Sequence, residues 1–120
     1  MIYLASPYSH ERPEIRAARY EEICYLAGFF ITNGYVIYSP ITHTHPIAIR
    51  MGLPTDWNFW KKFDETILFR CEALWIATMK GWINSTGIEN EIKIAKRLGI
   101  PISYVNPITK EVTQKPYEKV

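Results

Sequence analysis

The strongest constraint on this chain is an alternation. Short apolar runs at residues 2–5, 35–38, 73–77 and 101–105 are each bounded by Pro, Gly or polar residues. Between them lie longer stretches with helical periodicity. Ile2-Tyr3-Leu4-Ala5 stops at Ser6-Pro7, and Tyr35-Val36-Ile37-Tyr38 stops at Ser39-Pro40. Such runs read as buried strands. A helix is predicted from Pro13, a residue suited to the first helical position. Tyr20, Ile23, Cys24, Ala27, Phe30 and Ile31 form its stripe, and Asn33-Gly34 ends it. A second helix is predicted from Thr55 or Asp56 to about Arg70, and a third from Gly87 to Leu98, with Thr86 and Glu89 at capping-box spacing. Residues 41–55, broken by Pro46, Gly52 and Pro54, read as a long loop.

Strand–helix alternation with short connections predicts an α/β fold. The expected form is a flavodoxin- or Rossmann-like doubly wound, three-layer sheet of four or five mostly parallel strands. At 120 residues, the chain has room for one domain, assigned to 1–105, followed by a polar, loosely held tail at 106–120. In such sheets ligands bind beyond the carboxyl ends of the strands, where strand order reverses. That directs attention to residues 5–12, 39–55 and 78–91.

Composition enters by exclusion. A net charge of +2 argues against a nucleic-acid polymer or an anionic membrane as partner. No Lys, Arg, Asp or Glu occurs from Ile23 to Ile49, but Thr32-Asn33-Gly34 and Ser39-Pro40 cut this stretch well short of a membrane span. The opening MIYLASPYS has no leader pattern, so a cytoplasmic location is expected. Cys24 and Cys71 lack metal or disulfide spacing and read as reduced, buried thiols. GxGxxG, GxxxxGK[ST] and GxSxG are all absent, which removes the dinucleotide, P-loop and nucleophile-elbow readings. His43-x-His45 with His10 is a weak metal pattern without a third ligand at diagnostic spacing, so no metal or other cofactor is expected.

Two acids interrupt apolar helical stripes. Asp64 falls among Trp57, Trp60, Ile67, Leu68 and Cys71, and Glu91 falls between Ile88 and Ala95. A carboxylate carried inward must be paired, hydrogen-bonded or protonated. Glu91, near a helix start, is expected to stay ionised and to suit a nucleophile or general base. The competing reading is that each acid caps backbone or pairs with an arginine. His10 and Arg12 are placed to meet an anion, whereas Arg16 and Arg19 read as a solvated helix face. All four tryptophans fall between Trp57 and Trp82. Trp57 and Trp60 either line a pocket or fill the core, the commoner role for a Trp on a helical stripe, and Trp82, in a turn, is the better candidate for ligand contact.

Three segments together resemble a known family. They are Tyr3-Leu-Ala-Ser-Pro-Tyr-Ser9, the run from Asp64 through Cys71-Glu72-Ala73-Leu74-Trp75, and Ser85-x-Gly87-x-x-x-Glu91. Over residues 2–105 the chain resembles the nucleoside 2-deoxyribosyltransferase superfamily, including the deoxynucleoside 5′-monophosphate N-glycosidases. The resemblance implies Glu91 as nucleophile at the anomeric carbon, Tyr3 orienting it, and Asp64 as an acid that contacts the departing base or the sugar and can donate a proton. It implies substrate contacts from Ser6, Ser9, Arg12, Ser85 and Gly87, with Ser85 favouring a 5′-phosphate. It also implies a small-molecule nucleoside or nucleotide as substrate, and a homodimer or higher homo-oligomer in which neighbours complete each site. A nucleotide-sensing or sequestering module on the same fold is the alternative, and metal-dependent hydrolysis through His43 and His45 a third.

Overall fold

The computed structural model describes residues 1–115. Its elements are β1 (Ile2–Ala5), α1 (Pro13–Thr32), β2 (Ile37–Tyr38), α2 (Pro40–Met51), α3 (Trp57–Leu68), β3 (Ala73–Ala77), a 3-10 turn (Trp82–Asn84), α4 (Thr86–Leu98), β4 (Ile102–Val105) and β5 (Val112–Thr113). The sheet order is β2-β1-β3-β4-β5. The first four strands are parallel and β5 is antiparallel at the edge. This is the expected doubly wound, three-layer α/β fold.

Alternation along the strands divides the interior into two cores. Leu4 and Ala77 face α1, where they pack with Ile23, Leu26, Ala27 and Phe30. Tyr3, Ala5, Leu74 and Ile76 face the other way, against Leu68, Ile88, Ile94 and Ala95 of α3 and α4. Strand order reverses between β1 and β3.

The structure corrects the reading of residues 41–55. Most of that stretch is α2. Ser39 is its N-cap, with Oγ accepting from the Thr42 amide at 3.3 Å, and Pro40 occupies the first turn. Ser-Pro was therefore a helix start as well as a strand stop. Gly52, at φ 62°, closes the helix in the left-handed conformation that glycine adopts without Cβ strain. Pro46 forfeits one internal hydrogen bond without breaking the helix.

Smaller differences have similar local causes. α4 is capped by Ser85, whose Oγ accepts from the Ile88 amide at 3.2 Å, one residue before the expected capping box. α3 stops at Leu68, and Asp56 occupies its N-cap position without making a side-chain cap bond. The segment after residue 105 is not all tail. Asn106 Oδ1 accepts from the Ile108 and Thr109 amides at 2.8 and 3.1 Å, and this turn brings β5 back onto β4. Residues 116–120 of the expected tail lie outside the described residues.

Cys71 is buried and Cys24 half-buried, both as free thiols. Arg16 and Arg19 do not form a solvated face. Arg16 Nη1 donates to the His10 carbonyl, and Arg19 Nη1 to the Tyr8 and Ser9 carbonyls at 3.3 and 3.0 Å. Both guanidiniums brace the loop after β1. Among the described residues, no helix is long and apolar enough to cross a membrane.

Candidate active site

A cleft of about 530 Å³, partly open to solvent, lies beyond the carboxyl ends of β1 and β3. One wall is the loop after β1, with Ser6, Tyr8 and Ser9, and the start of α4, with Ser85, Gly87 and Glu91. The opposite wall is Pro40, Ile41, Thr44 and Ala48 of α2, then Thr55 and Asp56, then Trp57, Trp60 and Asp64 of α3.

Glu91 and Asp64 do converge here, and both are buried, at 4% and 7% exposure. The Tyr3 hydroxyl, wholly buried on β1, donates to Glu91 Oε2. Parallel pairing of β1 with β3 sets Tyr3 on the face that α4 covers. Asp64 Oδ1 and Ser6 Oγ are buried at the cleft without a hydrogen-bond partner among the described residues. They are polar groups available to a ligand.

The electrostatics correct one expectation. Glu91 is the sixth residue of α4, beyond the first turn over which a helix N-terminus stabilises charge. Burial dominates instead and pushes its pKa up to about 8, with the neighbouring Asp64 charge adding to the rise and the Tyr3 hydrogen bond opposing it. Burial likewise raises Asp64 to about 7. Burial and the Glu91 charge hold Tyr3 well above the ordinary phenol value, so it remains a donor. Both acids therefore hold their protons into the neutral range. A buried carboxyl pair of this kind can present a carboxylate and a carboxylic acid to one ligand.

The remaining expected residues divide. Ser6, Ser9, Ser85 and Gly87 line the cleft. Ser9 Oγ donates to the Thr55 carbonyl at 2.8 Å and so ties the two walls together. Ser85 Oγ is committed to its capping bond. A methyl group at Gly87 would meet Ser85 Oγ at 3.8 Å and Trp57 Cε3 at 3.9 Å, ordinary contacts, so the bare backbone there leaves room beside the indole.

Arg12 and Trp82 are not brought to the cleft. Arg12 is exposed, with Nε on Glu14 Oε1 at 3.1 Å. Trp82 packs against Tyr104 at 5.7 Å between ring centroids, on the far side of α4's start.

His43 and His45 do not share a site, since residues two apart on a helix face different directions. His45 is buried, its Nδ1 hydrogen-bonded to the Tyr8 hydroxyl and its ring stacked on Tyr20 at 4.4 Å. Burial and then Arg16 lower its pKa, which keeps the imidazole neutral. His43 is exposed and stacks on Phe63 at 5.6 Å.

Sequence reasoning missed the α2 wall, and for the two indoles it weighted core filling above ligand contact. Ile41, Thr44 and Ala48 have helical spacing, visible once Ser39-Pro40 is taken as a cap. Trp57 and Trp60 sit on the same α3 stripe as Asp64; both are half-buried and line the cleft, and Trp57 also packs against the α3/α4 core.

No protein of curated function matches this chain. Residues 1–106, which span the sheet through β4 and every cleft residue named above, match the family model described as a domain of unknown function, DUF1937, and the chain belongs to that family.

Proposed function

We propose that this protein cleaves or transfers at the N-glycosidic bond of a (deoxy)nucleoside or its 5′-monophosphate, through a covalent glycosyl–Glu91 intermediate. The observation that carries the reading is the buried Tyr3–Glu91 hydrogen bond beside Asp64, at the edge of the cleft. The working form has Glu91 ionised and Asp64 protonated, which in the free protein is the minor arrangement of the singly protonated pair, since Asp64 has the lower pKa. A Glu91 oxygen bonds to C1′ as the C1′–N bond breaks, and Asp64 gives its proton to the departing base. Water or a second base then attacks C1′ and releases Glu91, the two-step logic of retaining glycosidases. Tyr3 donates to the carboxylate and orients it. Trp57 and Trp60 offer faces on which a base stacks.

The resemblance of the Tyr3–Ser9, Asp64–Trp75 and Ser85–Glu91 segments to the nucleoside 2-deoxyribosyltransferases supports the same reading. A cytoplasmic setting and a homo-oligomer go with it. Phe59 and Phe63 on the outer face of α3 are exposed beside Trp60, an apolar surface suited to a second copy.

A binding module on the same fold is the second reading. It is favoured by the raised Glu91 pKa, which leaves only about a tenth of that group ionised at pH 7 in the free protein. One assay separates the two. Purified protein is mixed with a panel of nucleosides and 5′-monophosphates, and base release is followed by chromatography. The catalytic reading expects release that Glu91→Gln abolishes. Tight binding without release, unchanged in Glu91→Gln, assigns the protein to the second reading.

A further inference from the structure

The cleft is unusual in its charge inventory. Among the described residues lining it are three carboxyl groups, Asp56, Asp64 and Glu91, and no Lys, Arg or His. The cations that follow β1 do not line the cleft: Arg12 pairs with Glu14, Arg19 with backbone carbonyls, and Arg16 with the His10 carbonyl, beside the Tyr8 hydroxyl. Asp56 is exposed and makes no cap bond, so its carboxylate is free to face a ligand.

The aromatic groups of the wall add to this. Trp60 commits its Nε1 proton to the Pro54 carbonyl at 2.7 Å, and the Tyr8 hydroxyl is held by His45. These rings therefore offer electron-rich faces rather than hydrogen-bond donors. Carboxyl groups and ring faces are together the chemistry that binds an organic cation. The start of α4 supplies an opposing partial positive charge of about half a unit, less than the carboxyl groups around it.

Resting on the N-glycosidic reading, we propose that the cleft selects nucleosides whose base carries a positive charge, such as pyridinium ribosides, and rejects 5′-phosphates. A cation against the acid pair favours its ionised form, so binding itself supplies the Glu91 carboxylate. A phosphate dianion does the reverse. The chemistry is also simpler. A Glu91 oxygen bonds to C1′ as the C1′–N bond breaks, and the electron pair passes to the ring nitrogen, turning the pyridinium into a neutral pyridine. No proton is needed by the leaving group. Water then attacks C1′, the Asp64 carboxylate takes its proton, and Glu91 leaves as a carboxylate.

The test compares four probes on the purified full chain: nicotinamide riboside (cationic base), nicotinic acid riboside (the same ring with its charge neutralised), nicotinamide riboside 5′-phosphate, and 2′-deoxyadenosine. Base release gives kcat/KM, and calorimetry gives Kd on Glu91→Gln. The proposal expects nicotinamide riboside to exceed each of the others about tenfold or more in kcat/KM, with Asp56→Asn narrowing the gap. Equal or better use of 2′-deoxyadenosine or the 5′-phosphate, abolished by Glu91→Gln, overturns the charge proposal and leaves the N-glycosidic reading standing. If no probe releases base, that reading falls. The proposal then stands as one about binding if nicotinamide riboside still binds at least tenfold tighter than nicotinic acid riboside, and falls if it does not.

Discussion

The two faces of the sheet are built from the same strands to different ends. The core on the α1 face is apolar, with Leu4, Ile23, Leu26, Ala27, Phe30, Met79 and Val105 closing it, and its buried polar groups are confined to the Tyr8–His45–Tyr20 cluster against α2. The α3/α4 face has the same kind of core, formed by Leu68, Leu74, Ile76 and Ile88, but at its upper end Tyr3, Asp64 and Glu91 replace apolar groups. One residue step along β1, from Leu4 to Tyr3, moves from one regime to the other. The first face stabilises the fold. The second gives up some of that stability to hold two carboxyl groups where water is scarce, and burying acids in this way tunes them for chemistry near neutral pH.

Substitutions on the two faces should therefore fail in different ways. The largest effect is expected at Glu91. Glu91→Gln keeps the shape and still accepts from Tyr3, but removes the nucleophile, so base release should fall by about a thousandfold or more while the circular-dichroism spectrum is preserved. On the opposite face, Leu26→Ala should cost about 2–5 kcal/mol of stability in urea unfolding, because it opens a cavity in a closed apolar core. Activity per folded molecule should survive there.

The pH dependence of stability gives the next contrast. In the unfolded chain both acids ionise near pH 4, whereas in the folded protein Asp64 holds its proton to about pH 7 and Glu91 to about pH 8. Between those limits unfolding releases protons, so stability falls as pH rises through the window and levels off above it. The melting temperature should be several degrees higher near pH 5 than near pH 8.5. Glu91→Gln should flatten that slope and be more stable than the wild type at the higher pH. Leu26→Ala should lower the curve without changing its slope.

The smallest effect sharpens the assignment of the tryptophans. Trp82→Phe, away from the cleft, should change kcat/KM by no more than about twofold, whereas Trp57→Ala should raise KM by about tenfold through lost stacking.

The four parallel strands and α4 were legible because each signal was local: apolar runs bounded by Pro, Gly or polar residues, and a left-handed glycine at residue 99. Asp64 and Glu91 were legible for the opposite reason, as charges that break a stripe the rest of the helix keeps. Ser39-Pro40 was ambiguous, since the same dipeptide ends a strand and starts a helix, and reading only the first meaning concealed α2 and its wall. The tryptophans needed tertiary information. Periodicity gives the face of a helix but not which of its turns overhangs the strand ends, so Trp57 and Trp60 read first as core and Trp82 as ligand contact. The Glu91 pKa was misjudged because helix position was weighed without the depth of burial.

The central claim is that the Glu91 carboxyl is the group that bonds to the sugar. The most direct measurement is peptide mass mapping after incubation with nucleosides carrying fluorine at C2′, including a pyridinium riboside, because the fluorine slows hydrolysis of the glycosyl ester. The account predicts one added fluorosugar, located on Glu91 and absent in Glu91→Gln. Base release with the sugar mapped to another side chain, or with no adduct even in the slowed analogues, would contradict it.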